Sequence, residues 1–223
     1  MVTGVQTCAL PICASLHKIE GARQAATDAA EEFVKDRGLV YMSHNLSPYF
    51  SEGMKAASYE IVEVLDDGID HVVLPVGNGS LLIGMVRGYQ ELLEAGIIKR
   101  IPKFHGVQAH AVRPVIAALN GEEWSHDDVQ PTNASGIAVS KPPRLKEMVE
   151  AIRATGGSGI TVSEESLTEW QTRLASSEGV FAEMTSAGAF AGLAQLIDSA
   201  VIERDSNVCV PITGSGLKEP LKK

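Results

Sequence analysis

Short apolar runs alternate with amphipathic stretches along most of the chain. Residues 71–77 (HVVLPVG) form a run rich in β-branched residues that ends at glycine, and large apolar residues then recur every three or four positions between 81 and 93. The first pattern predicts a buried strand, and the second predicts a helix that follows it after a tight turn. Further strands are predicted at 39–44, 100–109, 136–140, 159–163 and from 207 onward. Further helices are predicted at 20–35, 54–65, 111–120, 144–157, 164–177 and 185–201.

This order of elements indicates the fold class. Short strands that alternate with helices of roughly ten or more residues are typical of α/β proteins, in which helices cover both faces of a parallel sheet. The 223 residues are enough to bury one sizeable core. We therefore predict an α/β fold with a mostly parallel sheet and helices on both faces. Loops are predicted at 45–53 and in a long polar insertion at 121–135.

Charge and hydropathy exclude two classes of partner. The formal net charge is −9, and lysine and arginine form no cluster that could neutralise phosphates, so we expect neither nucleic-acid nor anionic-membrane binding. The longest apolar stretches fall well short of the roughly 20 residues that span a bilayer. Small molecules or proteins are the expected partners, and a cytoplasmic location is predicted.

The three cysteines, Cys8, Cys13 and Cys209, do not have the paired spacing of a metal site. Their odd number fits a reducing compartment, and we predict no bound metal. The first two lie in residues 1–13, which lack the basic region of a secretory signal. That stretch resembles translated adapter sequence, so we predict that it is a non-native extension and that the natural sequence begins near residue 14.

The glycine turn at 77–81 (GNGSL) is the clearest candidate site. Ligands of parallel α/β sheets bind beyond the carboxyl ends of the strands, where a turn that enters a helix offers backbone N–H groups to an anion. Gly77, Gly79 and Gly84 do not have the spacing of a dinucleotide fingerprint, and no Gly-Lys-Ser/Thr follows as in a P-loop. The residues alone leave two interpretations open, since glycines also permit a tight strand-to-helix turn without any ligand.

Six stretches, in order along the chain, carry a family resemblance. They are SPYFSEGMKAASYEI (47–61), LPVGNGSLLIG (74–84), KFHGVQA (103–109), GIAVSKPPRLKEMVEAIRATGG (136–157), SSEGVFAEMTSAGAFAGL (176–193) and VPITGSGLK (210–218). Together they resemble the fold type II family of pyridoxal-phosphate enzymes, and within it the threonine synthase-like branch. The resemblance runs from about residue 14 to residue 218.

The resemblance implies a cofactor, pyridoxal 5′-phosphate, and the residues that hold it. The family's phosphate cup corresponds to the backbone N–H groups of Gly77, Asn78, Gly79, Ser80 and Leu81. The hydroxyl that faces the pyridine nitrogen in the family corresponds to Thr213. A neutral hydroxyl there leaves the ring nitrogen largely unprotonated, so that the ring is a weaker electron sink than one paired with a carboxylate.

The resemblance also implies a domain organisation. Residues 46–223 correspond to the large, cofactor-binding domain without its first strands, and residues 14–45 correspond to a remnant of the small domain. We therefore expect the chain to be the C-terminal part of an enzyme that forms a homodimer when intact.

The lysine that carries the cofactor in the family has no clear counterpart in the chain. The stretch FVKDRG (33–38) is similar to a threonine synthase stretch that ends in FKDRG, but its Lys35 ends an alanine- and glutamate-rich predicted helix only 42 positions before Gly77. A basic residue at a helix end is more simply explained by the helix dipole. The family's position is also not matched by Lys55, Lys99, Lys103, Lys141, Lys146 or Lys218. We predict that the Schiff-base lysine lies upstream of residue 14 and that the chain is catalytically incomplete.

The leading functional hypothesis is a lyase resembling threonine synthase, which converts O-phosphohomoserine to threonine and phosphate. Two departures leave the substrate open, because threonine synthases have a histidine in place of Ser215 and a longer glycine cup than GNGS. The alternatives are an amino-acid ammonia-lyase or β-replacement enzyme of the same family, and a noncatalytic effector-binding module. A nucleotide-binding domain is disfavoured, since no acidic residue stands where a ribose contact is expected.

Overall fold

The computed structural model describes residues 15–20, 23–65 and 68–218. The predicted non-native extension at 1–13, with Cys8 and Cys13, lies outside these residues. The described residues up to Ser43, together with Lys218, belong to one compact unit, and His44–Leu217 form the other. The assignment of residues 14–45 to a small domain and of 46–223 to a large domain stays a prediction.

Among the described residues of the first unit, one helix, α1, runs over Arg23–Asp36. Its phenylalanine, Phe33, contacts the imidazole of His17 at 5.1 Å between ring centroids and lies under the guanidinium of Arg37. The prediction of a strand at 39–44 is wrong, because residues 39–43 have no regular secondary structure and a turn begins at residue 44. Leu39, Val40 and Met42 are 52%, 79% and 83% exposed, whereas strand residues that pair and pack in a sheet would be buried.

The second unit alternates strands and helices as the sequence predicts. Its strands are β1 (His71–Pro75), β2 (Lys103–Ala109), β3 (Gly159–Val162) and β4 (Val208–Cys209). Its helices are α2 (Pro48–Met54), α3 (Ala56–Leu65), α4 (Ser80–Glu94), α5 (Pro114–Asn120), α6 (Leu145–Ala154), α7 (Glu164–Glu178) and α8 (Met184–Asp198). Short 3-10 helices lie at His126–Asp128, Ser135–Ile137 and Gly216–Lys218.

The four strands form one parallel sheet in the order β3-β2-β1-β4. Successive side chains of a strand point to opposite faces, and both faces of this sheet are buried. Val72 of β1 packs in a cluster with Leu82 of α4, whereas the adjacent Val73 belongs to a second cluster with Ala191 of α8. The predicted α/β class, with a parallel sheet covered on both faces, is confirmed.

Two local predictions within this unit are wrong. Residues 136–140 form no strand, since the 3-10 turn at Ser135–Ile137 occupies their start and Gly136 donates its N–H to the Thr185 hydroxyl at 3.1 Å. Residues 45–53, predicted as a loop, include helix α2, which begins at Pro48. Proline suits a first helical position because the N–H that it lacks has no partner there.

Helix α4 packs closely against α2 and α3 through two glycines four positions apart. A Cβ atom on Gly84 would lie 2.4 Å from the Cβ atom of Met54, and one on Gly88 would lie 2.9 Å from the Lys55 carbonyl oxygen. The Ser58 hydroxyl also donates to the Met85 carbonyl at 2.8 Å. None of the helices described is long and apolar enough to cross a membrane.

Two buried histidines face each other between β1 and β2. His105 Nδ1 lies 3.2 Å from the backbone N–H of Ser158 and must accept from it, so the neutral ring carries its proton on Nε2. That Nε2 lies 2.9 Å from Nδ1 of His71. Burial, with the charges of His71 and Lys103 adding to it, lowers the pKa of His105 to about 4. The pair is therefore neutral in the folded protein at physiological pH.

This neutral pair predicts a loss of stability in acid. Because the unfolded chain protonates His105 near its ordinary pKa of 6.5, stability falls as the pH drops from there towards about 4. The free energy of unfolding should decrease by about 3 kcal/mol over this window, as 1.36 kcal/mol per pKa unit requires. Urea denaturation of the wild type and of His105→Asn, which cannot be charged, measures the difference. Parallel pH profiles for the two proteins would contradict the prediction.

Candidate functional site

The glycine turn lies at the carboxyl end of β1, where the chain enters α4. Val76, the last residue before the turn, donates its N–H to the Val107 carbonyl at 2.9 Å. Gly79 has a φ of 84°, in the left-handed region, and directly precedes the first helical residue. Only glycine adopts this conformation at low cost, so the sharp entry into the helix depends on it.

The two glycines of the turn also allow close approach by other segments. A Cβ atom on Gly77 would lie 3.1 Å from the Gly136 carbonyl oxygen and 3.2 Å from the Cα atom of Ile137. A Cβ atom on Gly79 would lie 2.4 Å from both Cγ and Sδ of Met148. The turn is therefore a narrow backbone cradle that side chains would fill.

The cradle has unused hydrogen-bond donors. In the part of the chain that the structure describes, no backbone carbonyl accepts from the N–H groups of residues 77–81. The hydroxyl of Ser80 is buried and has no hydrogen-bond partner among the described residues. Free N–H groups at the positive end of a helix bind anions, and a phosphate group offers several acceptor oxygens. The residues present thus fit a phosphate group.

A buried glutamine, which the sequence reasoning missed, holds the turn to its surroundings. Gln108, on β2, donates from Nε2 to the Val76 carbonyl at 3.1 Å. Its Oε1 accepts from the N–H groups of Val115 and Ile116 at the start of α5, at 2.9 and 3.2 Å. The one available signal was a long polar residue inside the apolar stretch KFHGVQA. Gln108 couples the end of β1 to the helix after β2.

Thr213 follows β4 and belongs to a second cluster of polar side chains. Its hydroxyl donates to Oε1 of Glu183 at 3.0 Å and lies 2.8 Å from the hydroxyl of Ser186. Glu183 directly precedes α8 and is only 5% exposed, whereas Thr213 is exposed. The sequence predicted Thr213 as a site residue but not Glu183 or Ser186, although both lie in one of the six matching stretches.

The structure brings the glycine turn and Thr213 to the same edge of the sheet. Strands β1 and β4 are parallel neighbours, so the turns that follow them leave at the same end. The segment at Gly136 joins the two places, because its carbonyl approaches Gly77 and its N–H donates to the hydroxyl of Thr185. Thr185 is adjacent to Ser186, which contacts Thr213. A ligand bound in the glycine turn would therefore lie at the same edge of the sheet as Thr213.

The described lysines do not have the environment of a nucleophile. Lys55 alone among them is not exposed, and hydrogen bonds to the Glu52 and Glu91 carboxylates, with their charges, raise the pKa of its ammonium group. A reactive lysine needs a lowered pKa instead. Lys35 is exposed in the last turn of α1. Exposed positions are also occupied by Lys18, Lys99, Lys103, Lys141, Lys146 and Lys218.

Comparison with known proteins adds a family to this geometry. The family model described as pyridoxal-phosphate dependent enzyme matches residues 12–214. Threonine synthase of Methanocaldococcus jannaschii is 32% identical over 93% of this chain and 52% of the relative. Threonine synthase of Methanosarcina acetivorans is 35% identical over 81% of this chain and 45% of the relative. The chain thus spans about half the length of the curated relatives it matches.

Solved structures show the same fold at lower identity. The threonine deaminase of T.th. superposes with a TM-score of 0.73 at 19% identity, over 94% of this chain and 66% of that one. The processed form of threonine deaminase isoform 2 from Solanum lycopersicum superposes with a TM-score of 0.76 at 19% identity, over 95% of this chain and 59% of that one. Serine racemase from Dictyostelium discoideum superposes with a TM-score of 0.71 at 18% identity, over 95% of this chain and 64% of that one. At these identities the likeness concerns the fold.

Proposed function

Because the chain belongs to the pyridoxal-phosphate-dependent enzyme family, we propose that its glycine turn binds the phosphate of that cofactor and that Thr213 faces the pyridine nitrogen. The observation that carries the proposal is the cradle at residues 77–81, with N–H groups that no backbone carbonyl of the described residues uses. Thr213 supports it by lying at the same sheet edge, after the neighbouring parallel strand.

The cradle at residues 77–81, the phosphate cup of the family resemblance, suits a phosphate dianion for physical reasons. Hydrogen bonds from N–H groups to an ionised phosphate are about twice as strong as those between neutral groups, and the dipole of α4 adds to them. Gly77 and Gly79 keep side chains out of the space that the phosphate oxygens need. The hydroxyl of Ser80, which has no partner among the described residues, would gain an acceptor.

The bound cofactor would supply an electron sink for charge that develops at the substrate α-carbon. The chain's own residues would orient it, with the cup anchoring one end of the ring system and Thr213 the other. Gln108 would keep the cup in place, since it ties the Val76 carbonyl to the start of α5.

For the whole protein we propose a lyase reaction like that of threonine synthase, in which O-phosphohomoserine and water give threonine and phosphate. Support comes from the curated relatives named threonine synthase, at 32% and 35% identity. Ser215 and the short cup keep an ammonia-lyase or a β-replacement reaction as the second candidate. We further propose a cytoplasmic homodimer.

We also propose that none of the lysines in this sequence is the one that carries the cofactor, so that the chain by itself does not turn over substrate. The exposure of Lys35 in the last turn of α1 and the raised pKa of Lys55 support this. A lysine from polypeptide outside this sequence would then complete the site.

The test is to incubate the purified chain with pyridoxal phosphate, reduce it with borohydride and map the modified peptides by mass spectrometry. Saturable binding that inorganic phosphate competes away is expected, together with scattered labelling of exposed lysines well below one equivalent. One stoichiometric adduct at Lys35, with turnover of O-phosphohomoserine, would refute the proposal about lysine. Absence of phosphate-competed binding would refute the cofactor site and favour an effector-binding module.

A further inference from the structure

We propose that Glu183 sets the direction of the hydrogen bonds around Thr213, so that the Thr213 hydroxyl meets a ligand as an acceptor. Under the proposed function, on which this inference rests, the pyridine nitrogen would then bind in its protonated form. This is the opposite of what a neutral hydroxyl suggests from the sequence alone. Glu183 would be a positioning residue that acts on the cofactor through Thr213.

The hydroxyl of Ser186 determines the first step. Its oxygen accepts from the backbone N–H groups of Thr213 at 2.9 Å and Gly214 at 3.2 Å. A serine hydroxyl has two lone pairs and one hydrogen, so both lone pairs are in use. Its own hydrogen is left to donate, and Oγ1 of Thr213 lies 2.8 Å away. Ser186 is therefore the donor in that contact.

The carboxylate of Glu183 determines the second step. An ionised carboxylate only accepts hydrogen bonds, and its Oε1 lies 3.0 Å from Oγ1 of Thr213. The single hydrogen of the Thr213 hydroxyl must therefore point at Glu183. Having accepted one hydrogen bond from Ser186 and donated one to Glu183, the hydroxyl has one lone pair left and no hydrogen.

The arrangement is held by backbone as well as by side chains. Glu183 donates its own N–H to the Gly214 carbonyl at 2.9 Å, which fixes it beside the residue that follows Thr213. Glu183 is only 5% exposed, so water has little access to replace the hydroxyl as a donor. Thr213 itself is exposed, and its remaining lone pair is available to a ligand.

The consequence concerns the charge of the ring. An unprotonated pyridine nitrogen would place its lone pair against the lone pair of Thr213, which is repulsive. A protonated nitrogen would instead donate a hydrogen bond to Thr213. A ring that carries this proton is a stronger electron sink than a neutral one, so Glu183 would tune the cofactor without touching it.

The test uses pyridoxine 5′-phosphate labelled with ¹⁵N in the ring, because this probe has no aldehyde and needs no lysine to bind. The ¹⁵N chemical shift reports the proton on the ring nitrogen, and it is followed against pH for the free and the bound probe. In the wild-type chain the midpoint should rise by at least about one pH unit on binding, as a favourable contact of the protonated form requires. The affinity should correspondingly weaken by up to about tenfold for each pH unit between the free and the bound midpoints, and level off above the bound midpoint.

Two variants and one control test the role of Glu183. Glu183→Met frees the Thr213 hydrogen to point at the ring, so the bound midpoint should fall to that of the free probe or below it. Thr213→Val removes the hydroxyl and should bring the bound midpoint back to about the free value, with phosphate-competed binding retained. Glu169→Met, an exposed glutamate of α7, should behave as wild type. Circular dichroism checks that each variant is folded.

The outcomes separate this inference from the proposed function. Failure of the probe to bind the wild-type chain would refute the proposed cofactor site and this inference with it. Binding with a midpoint equal to or below that of the free probe would refute this inference alone. An unchanged, raised midpoint in Glu183→Met would refute the role of Glu183. Should Glu183→Met not fold, the wild-type and Thr213→Val titrations decide by themselves whether Thr213 accepts.

Discussion

Replacing Gly157 with alanine is expected to lower the free energy of unfolding by more than about 4 kcal/mol, a loss that few single substitutions cause. The added Cβ atom would lie 1.7 Å from the carbonyl oxygen of Phe104 and 3.0 Å from its nitrogen. Both are backbone atoms of β2, and Phe104 is fully buried. Relief would require separating the α6–β3 connection from the sheet.

The neighbouring Gly156 provides a matched control for this substitution. Its φ of 71° disfavours alanine, but a Cβ atom there would meet no atom of the described residues within 4 Å. Gly156→Ala should therefore cost only about 1–2 kcal/mol, the cost of a left-handed conformation in an L-residue. Urea denaturation of the two variants measures both losses, and equal losses would contradict the prediction.

Replacing Gly79 with valine is expected to weaken the binding of pyridoxine 5′-phosphate by at least about a hundredfold, which corresponds to about 2.8 kcal/mol of binding free energy. The side chain would occupy the cup, and its Cβ atom would lie 2.4 Å from Met148 in a conformation with φ of 84°. A β-branched residue at this φ also turns the N–H groups of the cup out of alignment. Titration of the probe, competed with inorganic phosphate, measures the loss.

The control for Gly79→Val is Gly179→Val. Gly179 also has a left-handed φ, 69°, and follows the last residue of α7, but a Cβ atom on it would have no neighbour within 4 Å in the part of the chain that the structure describes. Both variants lose stability through backbone strain, whereas only Gly79→Val should lose the probe at temperatures where the protein is folded. If both bind the probe as wild type does, the phosphate does not bind in this cup.

Several features could be read from the sequence because they depend on neighbouring residues. The strand, glycine turn and helix between residues 71 and 94 are where the hydrophobic pattern predicts them. The alternation of such units predicted the parallel α/β sheet, which the structure confirms. The resemblance predicted the pyridoxal-phosphate family, which the match over residues 12–214 confirms. The cup and Thr213 remain predictions as cofactor contacts.

Other features depended on segments that are distant in sequence. Apolar residues at 39–44 and 136–140 have strand-like composition but form no strand, since a strand also needs a partner. Gly156 and Gly157 both lie at the end of the helix that the sequence predicts at 144–157, yet just Gly157 is packed against the backbone of β2. In both cases, residues of the same type adopt different roles because the segments packed against them differ.

The sequence by itself determined the order of the elements, the fold class and the position of the glycine turn, because periodicity and turn preference act over a few residues. Only the tertiary structure placed Gln108 between the turn and α5, and Glu183 and Ser186 around Thr213. Glu183 and Thr213 are 30 positions apart, and no local pattern links them. The direction of a hydrogen bond depends on every donor and acceptor within reach, and folding alone brings those together.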